Sequence, residues 1–148
     1  MKSNRRIVRS AGVAFAAVVI ATLTTAAYAD MMSYKAELNA STEVPPNASK
    51  GVGSAVVTFD TAAKTLNWTV TFSDLTGPAT AAHFHGPAEA GKNAGVTVPI
   101  AGSSSPMTGS ATLTDAQAAD LTAGKWYVNV HTDANKGGEI RGQVVAGK

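Results

Sequence analysis

The sequence contains no cysteine and only three histidines in 148 residues. Without cysteine there are no disulfides, thiolate metal ligands, thiol nucleophiles or iron–sulfur clusters. Export usually permits disulfides, so an exported domain of this sequence must hold together by core burial, or with help from a bound ion. Arginine is equally scarce. Three of its four copies, Arg5, Arg6 and Arg9, lie at the extreme N-terminus, leaving Arg141 alone in the rest of the chain. With the remaining lysines scattered, no basic nucleic-acid surface is expected. Long apolar runs are also missing. The longest, residues 11–23, falls short of the roughly 20 residues a bilayer span needs.

That short run has a different meaning in context. Lys2, Arg5, Arg6 and Arg9 precede it, and Ala27-Tyr28-Ala29 follows it as a small-x-small cleavage site. Residues 1–29 therefore read as a secretory signal peptide, with Asp30 as the new N-terminus. The Arg5-Arg6 pair raises a twin-arginine signal as an alternative route. The expected location is secreted or periplasmic, with no stable membrane anchor after cleavage. Residues 30–148 then form one domain. That part carries eight Lys/Arg against ten Asp/Glu, so the basic pI belongs mainly to the leader. A domain of this size buries about two-thirds of its unfolded surface and needs no covalent staple.

The pattern of this domain is strand after strand. In "TLNWTVTFS" (65–73), Leu66, Trp68, Val70 and Phe72 alternate with polar residues, the period of a half-buried strand. Similar strands are expected at 33–39, 53–60, 80–85, 95–100, 107–113, 125–131 and 138–145, with a hairpin loop at "DTAAK". "TDAQAADLTAG" (114–124) is the one helical signal, capped by Thr114 or Asp115 and stopped by Gly124. Short strands with Gly, Pro and Ser turns predict an all-β sandwich or barrel.

All three histidines fall at ends of these strands. In "AAHFH", Phe84 is the apolar residue, so His83 and His85 project from the opposite face. In "WYVNVH", Trp126, Val128 and Val130 share one face, and His131 shares the other with Tyr127 and Asn129. Imidazoles at i and i+2 can converge on one ion, and a third from a neighbouring strand completes a three-nitrogen set suited to copper or zinc. Glu89, Asp133 and Glu139 are candidates for a fourth ligand or for orienting a ring. The alternative is structural: ring nitrogens that bond loop carbonyls and organise the turns. Glu139 and Arg141 flank Ile140 and are expected on the outer face, with Arg141 pairing with Asp133 or Glu89 to pin the turn beneath the histidines. Other chemistry is poorly represented. There is no nucleophile elbow, no carboxylate pair placed for acid–base work and no phosphate-cradling glycine pattern.

The motifs "ELNASTEVPP", "AAHFHGPA" and "YVNVHTDANKGGEIRGQ" together resemble the chordin-type, or CHRD, domain family over nearly all of residues 30–148. The resemblance implies an immunoglobulin-like or superoxide-dismutase-like antiparallel β-sandwich. Its characteristic residues correspond to His83, His85, His131, Gly137, Gly138, Glu139, Arg141 and Gly142. Copper/zinc dismutases bind copper through an H-x-H strand on a related sandwich. This sequence has too few histidines for a bridged two-metal site, and fold analogy alone does not carry an activity. The reading is a non-enzymatic module binding copper or zinc through His83, His85 and His131. The alternatives are a metal-free module that binds an exported protein or cell-surface polymer, and a metal-dependent redox enzyme.

Overall fold

A computed structural model describes residues 30–147, so the expected signal peptide, residues 1–29, lies outside the described residues. The elements run β1 (Met31–Asn39), β2 (Val52–Asp60), β3 (Thr65–Ser73), β4 (Ala79–His85), β5 (Val96–Ile100), β6 (Met107–Thr112), α1 (Asp115–Thr122), β7 (Tyr127–Thr132), β8 (Ile140–Gln143) and β9 (Val145–Ala146). A single 3-10 turn, Ala40–Thr42, follows β1. All pairings are antiparallel, in the order β5-β4-β7-β8-β1-β2-β3-β6, with β9 added to β1.

The sheet folds into two layers. β1, β2 and β3 form a long meander, with nine residue pairs on each side of β2. β4, β5, β7 and β8 form the other layer. Among the described residues, the ladder passes from one layer to the other where Asn39 lies opposite Arg141. The layers face each other: Trp68 of β3 meets Phe84 of β4 edge-on, ring centroids 5.3 Å apart. Between them lies one core, including Leu38, Val57, Leu66, Val70, Phe84, Val128, Val130 and Ile140. The expected all-β sandwich is the observed fold, wrapped into a nearly closed sheet.

Local signals account for most boundaries. α1 begins with a capping box, in which the Thr114 side chain accepts from Gln117 N–H and the Gln117 side chain accepts from Thr114 N–H. The expected last strand instead divides in two. Val144 donates its N–H to the Trp126 carbonyl, and Val145–Ala146 leaves β8 to pair with β1. Phe72 is only partly buried, although it is in phase with Trp68. The last pair between β3 and β6 is Val70 with Met107, so Phe72 lies beyond the covered part of the strand. Among the described residues, no helix is long and apolar enough to cross a membrane.

Candidate metal centre

The histidines sit where β4 lies beside β7. Phe84 points into the core, so His83 and His85 project from the other face. His85 lies opposite Tyr127, His83 opposite Asn129, and Ala81 opposite His131. His131 is therefore the diagonal neighbour of His83, within reach of a ring. One ligand atom from each of His83, His85 and His131 can be chosen so that all three lie within 4.8 Å of one another. The rings meet edge-on or tilted, with centroids 5.4 Å apart for His83–His85, 5.0 Å for His83–His131 and 6.4 Å for His85–His131.

The hydrogen bonds assign the tautomers. His85 Nδ1 is 3.0 Å from the Ala94 carbonyl, and His131 Nδ1 is 2.9 Å from the Lys136 carbonyl. A carbonyl only accepts, so both rings carry their proton on Nδ1 and present a lone pair at Nε2. His85 Nε2 is buried and has no hydrogen-bond partner. The two readings of the histidines thus coexist in one ring: one nitrogen organises a loop and the other remains available as a ligand. Main-chain carbonyls fix ring orientation in this way at metal sites. Burial, followed by the neighbouring imidazoles, lowers the His83 pKa below 6.5. Burial also dominates at His131, lowering its pKa against the opposing Lys136 carbonyl. Both effects favour the neutral, ligating form.

A buried polar layer backs the site. The Tyr127 ring stacks parallel on His85 at 4.8 Å, and the Arg141 guanidinium carbon lies 3.4 Å from the Tyr127 centroid. Tyr127 Oη accepts from Ala94 N–H at 3.1 Å, tying the ring to the segment that holds His85. Arg141, 2 % exposed, donates to Asn93 Oδ1 at 2.8 Å and to the Lys92 carbonyl. Beyond it lies Glu43, 5 % exposed. Burial raises its pKa to about 7, against the Arg141 charge, the Val44 N–H and the Asn129 side chain. The Glu43 carboxylate occupies the space a Cβ at residue 138 would need. Gly138 also has φ +130°, so glycine is required there twice over.

The candidate orienting residues are dispersed. Glu89 is exposed, 4.0 Å from Lys125 Nζ. Asp133 is exposed and in no ion pair among the described residues. Arg141 pairs with neither, contrary to expectation, because the Tyr127 ring and the 92–93 segment hold its guanidinium. Nor do Glu139 and Arg141 share an exposed outer face. Glu139 lies in the bend before β8, and its carboxylate turns to Thr132, which is in phase with core residues Val128 and Val130. There it accepts from Ser49 Oγ, Thr76 N–H, Thr76 Oγ1, Thr132 Oγ1 and Asn135 Nδ2. Burial pushes its pKa up, but these bonds outweigh it and hold the group at about 2. Glu139 thus anchors the 132–138 hairpin whose Lys136 carbonyl orients His131. None of the four residues belongs to the three-histidine group.

Sequence reasoning placed Tyr127 and Asn129 on the histidine face but missed Glu43. Its one signal was a carboxylate beside Pro45-Pro46 within the "EVPP" motif.

A comparison with family models matches residues 34–144 to the CHRD domain. The chain belongs to the CHRD family. The match spans every strand from within β1 to the end of β8, so the histidines, Glu43, Glu139 and Arg141 are all parts of this CHRD domain. Neither the curated proteins nor the solved structures compared with it give a match.

Proposed function

We propose that this CHRD domain is an exported module that holds one transition-metal ion, copper or zinc, on His83, His85 and His131. Two observations carry the reading: three imidazole nitrogens, one from each ring, lie within 4.8 Å of one another, and His85 Nε2 is buried without a partner. An orphaned buried acceptor costs about 1–3 kcal/mol, and a bound cation removes that cost. The donor set fits the chemistry. Imidazole suits copper and zinc, and three of them leave a position open to water or a further ligand. Residues 1–29, with their basic start and small-x-small end, support export.

The domain's own residues have two tasks. The Ala94 and Lys136 carbonyls hold two rings in the ligating tautomer, and the stack of His85, Tyr127 and Arg141 fixes one ring plane. No carboxylate belongs to the group, so the three-ring set is neutral and the ion keeps its full charge. Metal analysis of protein purified without a metal-affinity tag tests the reading. About one copper or zinc per chain is expected, and that content should be lost in His85→Ala. Metal content far below one per chain, even after incubation with either ion, would remove it.

A further inference from the structure

His83 differs from its two neighbours in what holds it. His85 and His131 are each anchored at Nδ1 by a main-chain carbonyl. His83 Nδ1 instead lies 3.1 Å from His131 Nε2. On the far side, His83 is opposite Pro99, which is exposed and has no N–H to offer. Among the described residues the His83 ring has no other hydrogen-bond partner.

The direction of that bond follows by elimination. His131 has its proton on Nδ1, where the Lys136 carbonyl accepts it, so His131 Nε2 carries a lone pair. A short contact between two lone pairs is repulsive. His83 Nδ1 must therefore carry the proton and donate it to His131 Nε2. This is the nitrogen that His131 has free for a metal ion, and it is already taken inside the protein.

We propose that His83 is an internal cap on the metal centre: its N–H occupies the His131 lone pair, and a metal ion is captured only when the His83 ring releases it. This rests on the metal-binding reading above. The fixed pair His85 and His131 forms the preorganised half of the site, and His83 closes over the ion as the third ligand once it has let go. His83 therefore has two opposing effects. It slows capture by competing for His131, and it slows loss by adding a nitrogen to the bound ion. Removing it should speed entry and weaken retention together, whereas removing a simple ligand weakens retention alone.

The probe is zinc, which is diamagnetic, at a pH of about 8, above the ordinary histidine range. Nitrogen-15 spectra of the metal-free parent protein should show His83 protonated on Nδ1 and His131 on Nδ1. A scalar coupling should run between His83 Nδ1 and His131 Nε2 across the hydrogen bond. Zinc should abolish the coupling. In stopped-flow mixing, His83→Ala should take up zinc about fivefold faster than the parent, the factor set by a typical net hydrogen bond. It should release zinc at least tenfold faster. His85→Ala should release zinc faster with no gain in uptake rate. A lone pair on His83 Nδ1, or uptake by His83→Ala no faster than the parent, overturns the cap while leaving the metal centre intact. Failure of the parent to bind zinc overturns both, and a coupling that persists then assigns the fault to the metal reading. The spectra need only the parent protein, so the test survives if a variant does not fold.

Discussion

Tyr127 and His85 lie plane to plane, their rings 1° from parallel and 4.8 Å apart, on neighbouring strands directly opposite each other. Both are tied to Ala94, His85 through its carbonyl and Tyr127 through its N–H. The stack and the shared tether leave the His85 ring little room to rotate. Tyr127→Leu keeps an apolar side chain but removes the stack and the seat of Arg141. It should weaken metal affinity by about tenfold, the lower end for loss of a ligand-orienting partner. Tyr127→Phe keeps the stack and loses only the hydroxyl, costing about 1 kcal/mol of stability with little change in affinity. Calorimetric titration and denaturant unfolding of the two variants separate these effects. Equal metal affinity in Tyr127→Leu and the parent would count against a positioning role.

Trp68 and Gly109 pack closely in a way the sequence pattern does not reveal. They are paired residues of β3 and β6, and a Cβ on residue 109 would lie 2.5 Å from Trp68 Cζ2. Gly109→Ala should therefore destabilise by about 1–3 kcal/mol through overpacking. Trp68→Ala, which opens a cavity against Phe84, should cost about 3–5 kcal/mol. Urea unfolding midpoints measure both. An unchanged midpoint in Trp68→Ala would refute the strand phase on which the histidine placement depends.

The strands were legible because one face of each is apolar and the other polar, as in β3, where the expected and observed limits coincide. β7 obeyed the same period for a different reason. Tyr127 and Asn129 on its outer face are buried too, because the 40–47 and 89–95 loops carry Glu43, Lys92 and Asn93 over the neighbouring residues. Alternation reports which residues share a face, not whether a loop later covers it. That is why the convergence of His83, His85 and His131 could be read from spacing, while Glu43 could not. Glu139 failed for a local reason: the positive φ of Gly138 ends the extended chain just before it, so period two no longer sets its direction.

The depressed histidine pKa values fix the pH range of metal uptake. A proton competes with metal only where the folded ring can bind it, and burial moves that range below 6.5 for His83 and His131. Proton competition at these two rings should therefore set in only below about pH 6.5, and affinity should fall as pH drops further. In the metal-free protein the unfolded chain takes up these protons first, so stability also declines as pH falls below 6.5. Zinc titrations across this range provide the check. An affinity that does not weaken below about pH 6.5 would show that protons do not compete with the ion at these rings.

Glu43 and Glu139 should give stability slopes of opposite sign. The Glu139 pKa is lowered from 4.5 to about 2, so its contribution is complete above 4.5 and lost as pH falls towards 2. The Glu43 pKa is raised from 4.5 to about 7, so the native state holds a proton that the unfolded chain has released. Ionising it costs stability progressively from pH 4.5 to 7. In metal-free protein, Glu43→Gln should stabilise by on the order of 2 kcal/mol at pH 8 and by little at pH 4.5. Glu139→Gln should destabilise by about 2–4 kcal/mol at pH 8, because its donors lose an ionised acceptor. Denaturant midpoints at the two pH values decide both. A Glu43→Gln gain that is the same at pH 4.5 and pH 8 would show that the carboxyl does not titrate between them.

The most direct measurement is calorimetric titration of chelator-stripped protein with zinc or copper, the parent beside His83→Ala, His85→Ala and His131→Ala. The account predicts one ion per parent chain at micromolar concentration or below. Each variant should bind more weakly, with His85→Ala and His131→Ala the most impaired because they remove the two carbonyl-anchored rings. A parent that takes up neither ion at micromolar concentration, or a His131→Ala variant that binds as well as the parent, would contradict it.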